Sequence, residues 1–124
     1  MPPLTDDTLW AILNDELDDD VVNRLVWQGL GYRETPNGWD VLAVEAAWAE
    51  PYPEPPNFIE SRPATVQLTR SIPKEDKQLL KEELGFKGYT VDQLIPRLTR
   101  RATMVNWLLS YRKRQAARSG SPEA

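Results

Sequence analysis

A mainly α-helical single domain of about five helices, with one short β-hairpin near residues 31–41, is the fold class this sequence predicts. Three observations predict it. Apolar residues recur three and four positions apart through most of the chain. Glycine and proline fall at intervals that suit helix ends. The stretch TPNGW carries a hairpin signal. At 124 residues the chain fits one domain, large enough to bury a core without disulfides or a structural metal. That domain is expected over 1–118, with a disordered tail over 119–124.

The first helix takes Thr5 as its N-cap and Asp6 and Asp7 in its first turn, where the helix dipole favours negative charge. Leu9, Ile12 and Leu13 follow at helical spacing. A second helix starts at Asp18, Asp19 and Asp20 and runs through Val22, Leu25, Val26 and Leu30, with Gly29 and Gly31 to end it. In TPNGW, Pro36 suits the second position of a type I turn and Gly38 the left-handed position after it. This predicts a three-residue hairpin between strands at 31–35 and 39–41. The alanine-rich VLAVEAAWAE that follows predicts a helix capped by Asp40.

PYPEPP, residues 51–56, is extended, because four prolines in six residues remove donors and hold φ near the polyproline value. Pro53 and Pro56 form a PxxP whose flanking charges are acidic, so the stretch reads as a rigid connector in preference to a ligand for a proline-binding domain. Ser61 caps a helix over Pro63 to Arg70. The next helix has Pro73 in its first turn, carries Leu79, Leu80 and Leu84, and ends at Gly85 with Phe86 folded back onto Leu80. Thr90 to Leu94 starts a further turn, and Pro96 either kinks it or begins the last helix.

In that last helix Leu98, Ala102, Val105, Leu109 and Ala116 share one narrow arc, a core stripe, while Arg97, Arg100, Arg101, Arg112 and Arg118 gather beside it. Met104, Trp107, Leu108 and Tyr111 make its middle apolar nearly all round. Lys113, Arg114 and Arg118 also complement the helix dipole at roughly 0.3 to 1 kcal/mol each.

Charge is strongly segregated. Residues 1–60 hold 13 acidic side chains against 2 arginines, and residues 61–124 hold 13 basic against 6 acidic, for a net charge of −4. Such asymmetry marks either an interaction surface or two halves that neutralise one another in the fold. Cysteine and histidine are both absent. Disulfides, thiolate nucleophiles, cysteine zinc sites and imidazole-based triads are thereby excluded. An enzyme built on Asp, Glu, Lys, Ser, Thr or Tyr stays open, but the pattern names no catalytic, cofactor-binding or metal residue. The opening MPPLTDDTLW has neither a basic n-region nor an apolar run, and no stretch approaches the roughly 20 apolar residues of a membrane span. A cytoplasmic protein without membrane contact is expected.

Three motifs bear on function. GFKG, residues 85–88, has the GxxG spacing of a KH loop, but that fold needs a three-stranded sheet, and a helix cap followed by a turn explains both glycines. NDELDDD, residues 14–20, fails as a calcium loop: counted from Asn14, Asp19 stands where glycine is required and Leu25 where the bidentate glutamate belongs. A loop and N-cap cluster accounts for it better. The arginines and aromatics of the last helix have the composition of a nucleic-acid surface, although the spacing of Trp107 is that of a core residue.

The segments FIESRPATVQLTRSIP, KQLLKEELGFKGY and RRATMVNWLLSYRK, with the opening LTDDTLWAILNDELDDDVVNRLVWQGLGYR, resemble an uncharacterised domain-of-unknown-function family of cyanobacteria and plastids. The resemblance spans Leu4 to about Lys113. It implies a cytoplasmic or stromal setting in a photosynthetic organism and supplies no functional residues.

The function expected from the residues is a non-enzymatic protein-interaction module. Its basic patch, Arg97, Arg100, Arg101, Arg112, Lys113 and Arg114, meets an acidic protein partner. The alternative is nucleic-acid binding by the same patch together with Lys87.

Overall fold

The structure, a computed structural model, describes residues 2–118, so the tail expected over 119–124 lies outside the described residues. Among the described residues, six α-helices and one two-stranded hairpin form a single domain. Helix α1 spans Asp6–Leu13 and α2 Asp19–Leu30, followed by strands β1, Arg33–Thr35, and β2, Gly38–Asp40. Then come the one-turn α3, Ala46–Ala49, and α4, Arg62–Ser71. A 3₁₀ turn at Lys74–Asp76 leads into α5, Leu79–Leu84, and a second at Val91–Gln93 into the long α6, Pro96–Arg118.

Helix α6 is the hub, because α1, α2, α4 and α5 all pack against it. Leu9, Ile12 and Leu13 of α1, Val22, Leu25 and Val26 of α2, Ala64 and Leu68 of α4 and Leu79 of α5 close around Met104, Val105, Leu108 and Leu109. Full burial of each leucine or valine stabilises by roughly 1.5 to 3 kcal/mol. Every residue from 104 to 110 is buried, which matches the apolar middle expected of this helix. The core stripe is shorter than its sequence spacing suggests. Leu98 and Ala102 are only half-buried and Ala116 is exposed, because four elements surround the centre of the helix and leave its ends uncovered.

The caps follow local chemistry. Thr5 Oγ1 accepts from Thr8 N at 3.2 Å and Ser61 Oγ from Ala64 N at 3.3 Å. Asp18 holds the N-cap position of α2 with Asp19 and Asp20 in the first turn. Gly31 ends that helix at φ +107°, and a Cβ there would lie 2.5 Å from the carbonyl oxygen of Ala43. Gly29, inside the last turn of α2, has a different reason: a Cβ would meet the Trp107 ring at 2.8 Å, so glycine lets α2 approach α6.

Several local expectations change. The hairpin pairs Thr35 with Gly38, leaving Pro36 and Asn37 as a two-residue loop, while Gly38 adopts the expected positive φ of +126°. Gly31 caps α2 and is not part of a strand. The helix expected over 41–50 contracts to Ala46–Ala49, because Asp40 is held in β2 opposite Arg33 and the chain after it folds into a turn closed by Val44 N donating to Val41 O at 3.0 Å. The helix expected from Pro73 is interrupted after Asp76, whose side chain turns inward to Ser110. Pro96 begins α6.

The connector over residues 51–56, expected to be extended, does not run so throughout: Tyr52 N still donates to Trp48 O at 2.9 Å and the chain bends at Pro53 and Glu54. It is anchored, with Trp27 Nε1 donating to Pro56 O at 2.7 Å and Tyr32 Oη to Tyr52 O at 2.8 Å. At its exit, the buried Asn23 takes Phe58 N on Oδ1 at 3.0 Å and donates to Asn57 Oδ1 at 3.1 Å. Gly85 closes α5 at φ +68°, and Phe86 N donates to Leu80 O. No described helix is long and apolar enough to cross a membrane.

Candidate functional site

The acidic N-terminal elements lie against the basic helix, and most of the expected patch is engaged within the fold. Arg97 grips Asp15 through both terminal nitrogens, at 2.8 and 2.7 Å, and reaches Asp19 through Nε at 3.1 Å. Two parallel N–H bonds to one carboxylate are the strong form of this pair. They hold the Asp15 carboxyl below the ordinary carboxylate range, with the Arg97 hydrogen bonds as the largest cause. Asp15 stands at φ +60°, a left-handed position after α1 that aspartate tolerates better than most residues.

Arg101 departs furthest from its expected place. It is fully buried and therefore offers nothing to a partner. Its Nη2 donates to Ile12 O at 3.0 Å and Leu17 O at 2.8 Å, and its Nη1 to Asp19 at 2.7 Å. A guanidinium suits this place because carbonyls near the end of α1 have lost their helical partners, and the planar fork satisfies several acceptors at once.

Arg112 binds Asp6 at 2.9 Å and Leu4 O at 3.0 Å, so it too is tied to the N-terminal segment. Lys113 Nζ meets the buried Asp76 at 2.6 Å, where Ser110 Oγ also donates at 2.7 Å. These donors, led by Lys113, lower the Asp76 pKa, and Asp76 in turn raises that of Lys113. Asn106 extends this junction by donating to Asp76 O and accepting from Leu80 N. Arg114 donates to Ser110 O at 3.3 Å and lies 5.9 Å from the Trp107 ring centre. Trp107 itself is buried, stacked on Tyr111 at 5.5 Å.

Of the expected patch, Arg100 is the arginine near the start of α6 that no carboxylate claims; it donates to Ile59 O at 2.9 Å. It borders a groove of about 360 Å³ between α4 and α6, lined also by Arg62, Thr65, Val66, Leu94 and Pro96. Among the described residues, the only charged ones in this lining are the two arginines. Leu94 of this lining is 58% exposed, and its chain neighbours Val91 and Ile95 are 87% and 47% exposed. Lys87 lies elsewhere, in a cleft with Lys77, Lys81, Leu80 and Phe86. The seven residues expected to act together are thus dispersed, with Arg100 at the groove, Lys87 in its own cleft and the others engaged at separate points within the fold.

Sequence reasoning missed the α4–α6 groove. The apolar triplet 91, 94, 95 was the available signal, because its spacing suits a helical turn although only a short 3₁₀ turn exists there to bury it. Among the described residues, no group of three or more carboxylates stands in an arrangement that could hold a metal.

No curated protein matches the chain. A protein solved by solution NMR is similar at 59% identity and a TM-score of 0.78, over 93% of this chain and 98% of that one. The family model described as Domain of unknown function (DUF1823) matches residues 3–113. Nearly the whole folded region, from the segment before α1 to the basic end of α6, lies within that match, and the chain therefore belongs to the DUF1823 family of unknown function.

Proposed function

We propose that this protein is a cytoplasmic, non-enzymatic interaction module that docks an acidic segment of another protein on its α4–α6 face. The observation that carries the reading is a run of exposed apolar side chains, Val91, Leu94 and Ile95, beside a groove whose only charged residues are Arg62 and Arg100. Contiguous apolar surface rimmed by polar groups marks interaction sites. Two arginines without carboxylate partners favour a segment that sets acidic residues around an apolar anchor. Because the acidic half already occupies Arg97, Arg101 and Arg112, those side chains position α6 and leave docking to its exposed flank.

The test compares affinity capture by the intact protein with capture by Leu94→Asp, by the pair Arg62→Glu and Arg100→Glu, and by the control Lys81→Glu. A true partner is lost by the first two and kept by the control. Calorimetry with the recovered partner then shows Leu94→Asp weakening binding about thirtyfold, as for a central anchor. If no protein shows this dependence, the reading falls.

Nucleic-acid binding draws support from a different cleft, that of Lys77, Lys81 and Lys87, about 550 Å³ in volume and with no acidic residue in its lining. It predicts oligonucleotide binding with a salt slope that falls by roughly one unit for Lys87→Ala. An unchanged slope removes it.

A further inference from the structure

A second site stands apart from the docking face, where α2 meets the hairpin. Here a cleft of about 150 Å³ is lined by Trp27, Tyr32, Trp39, Arg24, Gln28, Arg33 and Glu34. The two indoles meet edge to face, with ring centres 5.6 Å apart and planes inclined at 76°. Such a pair forms a corner in which a third flat ring can stack on one indole and present its edge to the other.

The corner is pre-formed. Trp27 is pinned by its hydrogen bond to Pro56 O, and the hairpin bearing Trp39 is stapled by Thr35 Oγ1 donating to Gly38 O at 2.9 Å. The joint between helix and hairpin is Gly31, packed so tightly on Ala43 that no side chain fits. A site whose walls are already held avoids the ordering cost of binding.

Charge decides what kind of ring fits. Arg24 already binds Asp20 and Glu34, which offsets that carboxylate, and lies 5.8 Å from the Trp27 ring centre. Arg33 spends only Nη1, on the carbonyls of Gln28 and Tyr32, and meets no carboxylate. Its Nε and Nη2 remain to receive an anion at the edge of the cleft.

From this geometry we infer that the Trp27–Trp39 corner binds a small ligand made of one planar ring system with an anionic substituent, the ring stacking on indole and the anion meeting Arg33. A nucleoside monophosphate and an aromatic carboxylate share this chemistry. At about 150 Å³ the cleft encloses the ring alone, and the rest of the ligand, anion included, lies at its mouth beside Arg33.

Nitrogen-proton NMR spectra of the intact protein, which resolve the indole N–H signals, provide the test with four probes: adenosine monophosphate, indole-3-acetate, adenosine and inorganic phosphate. Saturable shifts of the Trp27 and Trp39 indole signals are expected with at least one of the first two, and which one identifies the source. Adenosine and phosphate, each carrying half of the recognised chemistry, bind about tenfold more weakly or less. Trp39→Ala removes the shift at Trp27 and Arg33→Gln weakens binding several-fold. Arg33 lies on the exposed face of the hairpin and Trp39 packs at the edge of the core, so retention of the remaining indole signals in Trp39→Ala verifies the fold. Absence of saturation with both ring-bearing anions, adenosine binding as well as its monophosphate, or binding indifferent to Trp39→Ala overturns the proposal. None of these outcomes bears on the α4–α6 docking face.

Discussion

Arg101 shows how a single side chain changes meaning between sequence and fold. In the sequence it is one of two adjacent arginines at the start of a basic helix. In the structure it is a buried cation satisfying Ile12 O, Leu17 O and Asp19. Replacing it by leucine takes this donor from Leu17 O and leaves Ile12 O with Asp15 N and Asp19 with Arg97, and unfolding in urea is expected to report a loss of about 2 to 3 kcal/mol from the buried donors removed. Lysine should rescue little, since one ammonium cannot reproduce the planar fork. Asp15 makes the contrasting case, being half exposed and paired with Arg97 at the surface. Because its folded pKa is depressed, it stabilises fully above its ordinary value near 3.8, and the contribution is lost as pH falls through the lower folded value. Asp15→Asn should therefore reduce stability at pH 7 by no more than about 1 kcal/mol and make no difference once the pH lies below the folded value. Chemical denaturation across that range checks both statements. Neither role was legible locally, because Arg101 finds Ile12 across 89 positions of sequence.

Among the elements, the glycine caps were readable in advance, since glycine after an apolar helical run marks a left-handed end wherever it occurs. What such a cap carries differs from one helix to the next. Gly31 combines φ +107° with backbone contact to Ala43, whereas Gly85 combines φ +68° with open space. Alanine at 31 must strain the backbone and displace the 41–45 turn, and we expect a loss of about 2 to 3 kcal/mol. At 85 the conformational cost of about 1 kcal/mol acts alone. Thermal melts of the two variants measure the difference. The helix expected over 41–50 failed for a related reason. Alanine content speaks for helix, but Asp40 is taken into β2 and residues 41–44 close a turn through Val44 N and Val41 O, so a weak propensity yields to the sheet pairing next to it. Helix α5 and the 3₁₀ turn before it show a tertiary version, with Asp76 drawn inward by Ser110 and Lys113.

For the whole molecule, opposed charge is first of all a device for closing the chain on itself. The acidic segment around α1 and the start of α2 lies along α6, and Asp6, Asp15 and Asp19 each meet an arginine. Salt separates the exposed part of this arrangement from the buried part. At 1 M salt the screening length falls to about 3 Å. Arg97→Gln should cost stability in dilute buffer and nearly none at 1 M. Arg101→Leu should cost almost the same in both, and urea titrations of the two variants at both salt concentrations decide it. Should Arg101→Leu also become neutral in salt, its role is Coulombic and not the satisfaction of buried carbonyls.

By itself the sequence determined the helical class, the place of the hairpin, most caps and the apolar centre of α6. These depend on residues within one or two turns of each other, where spacing and backbone preference act directly. It also excluded imidazole and thiolate chemistry, which composition alone decides. Only the tertiary structure decided which arginines face solvent, that the Arg62 and Arg100 groove has an exposed apolar neighbour, and that Trp27 and Trp39 form one corner. Each of these joins side chains from separate elements. Helical spacing places a residue on a face of its own helix, but which neighbour covers that face depends on how the whole core packs around α6.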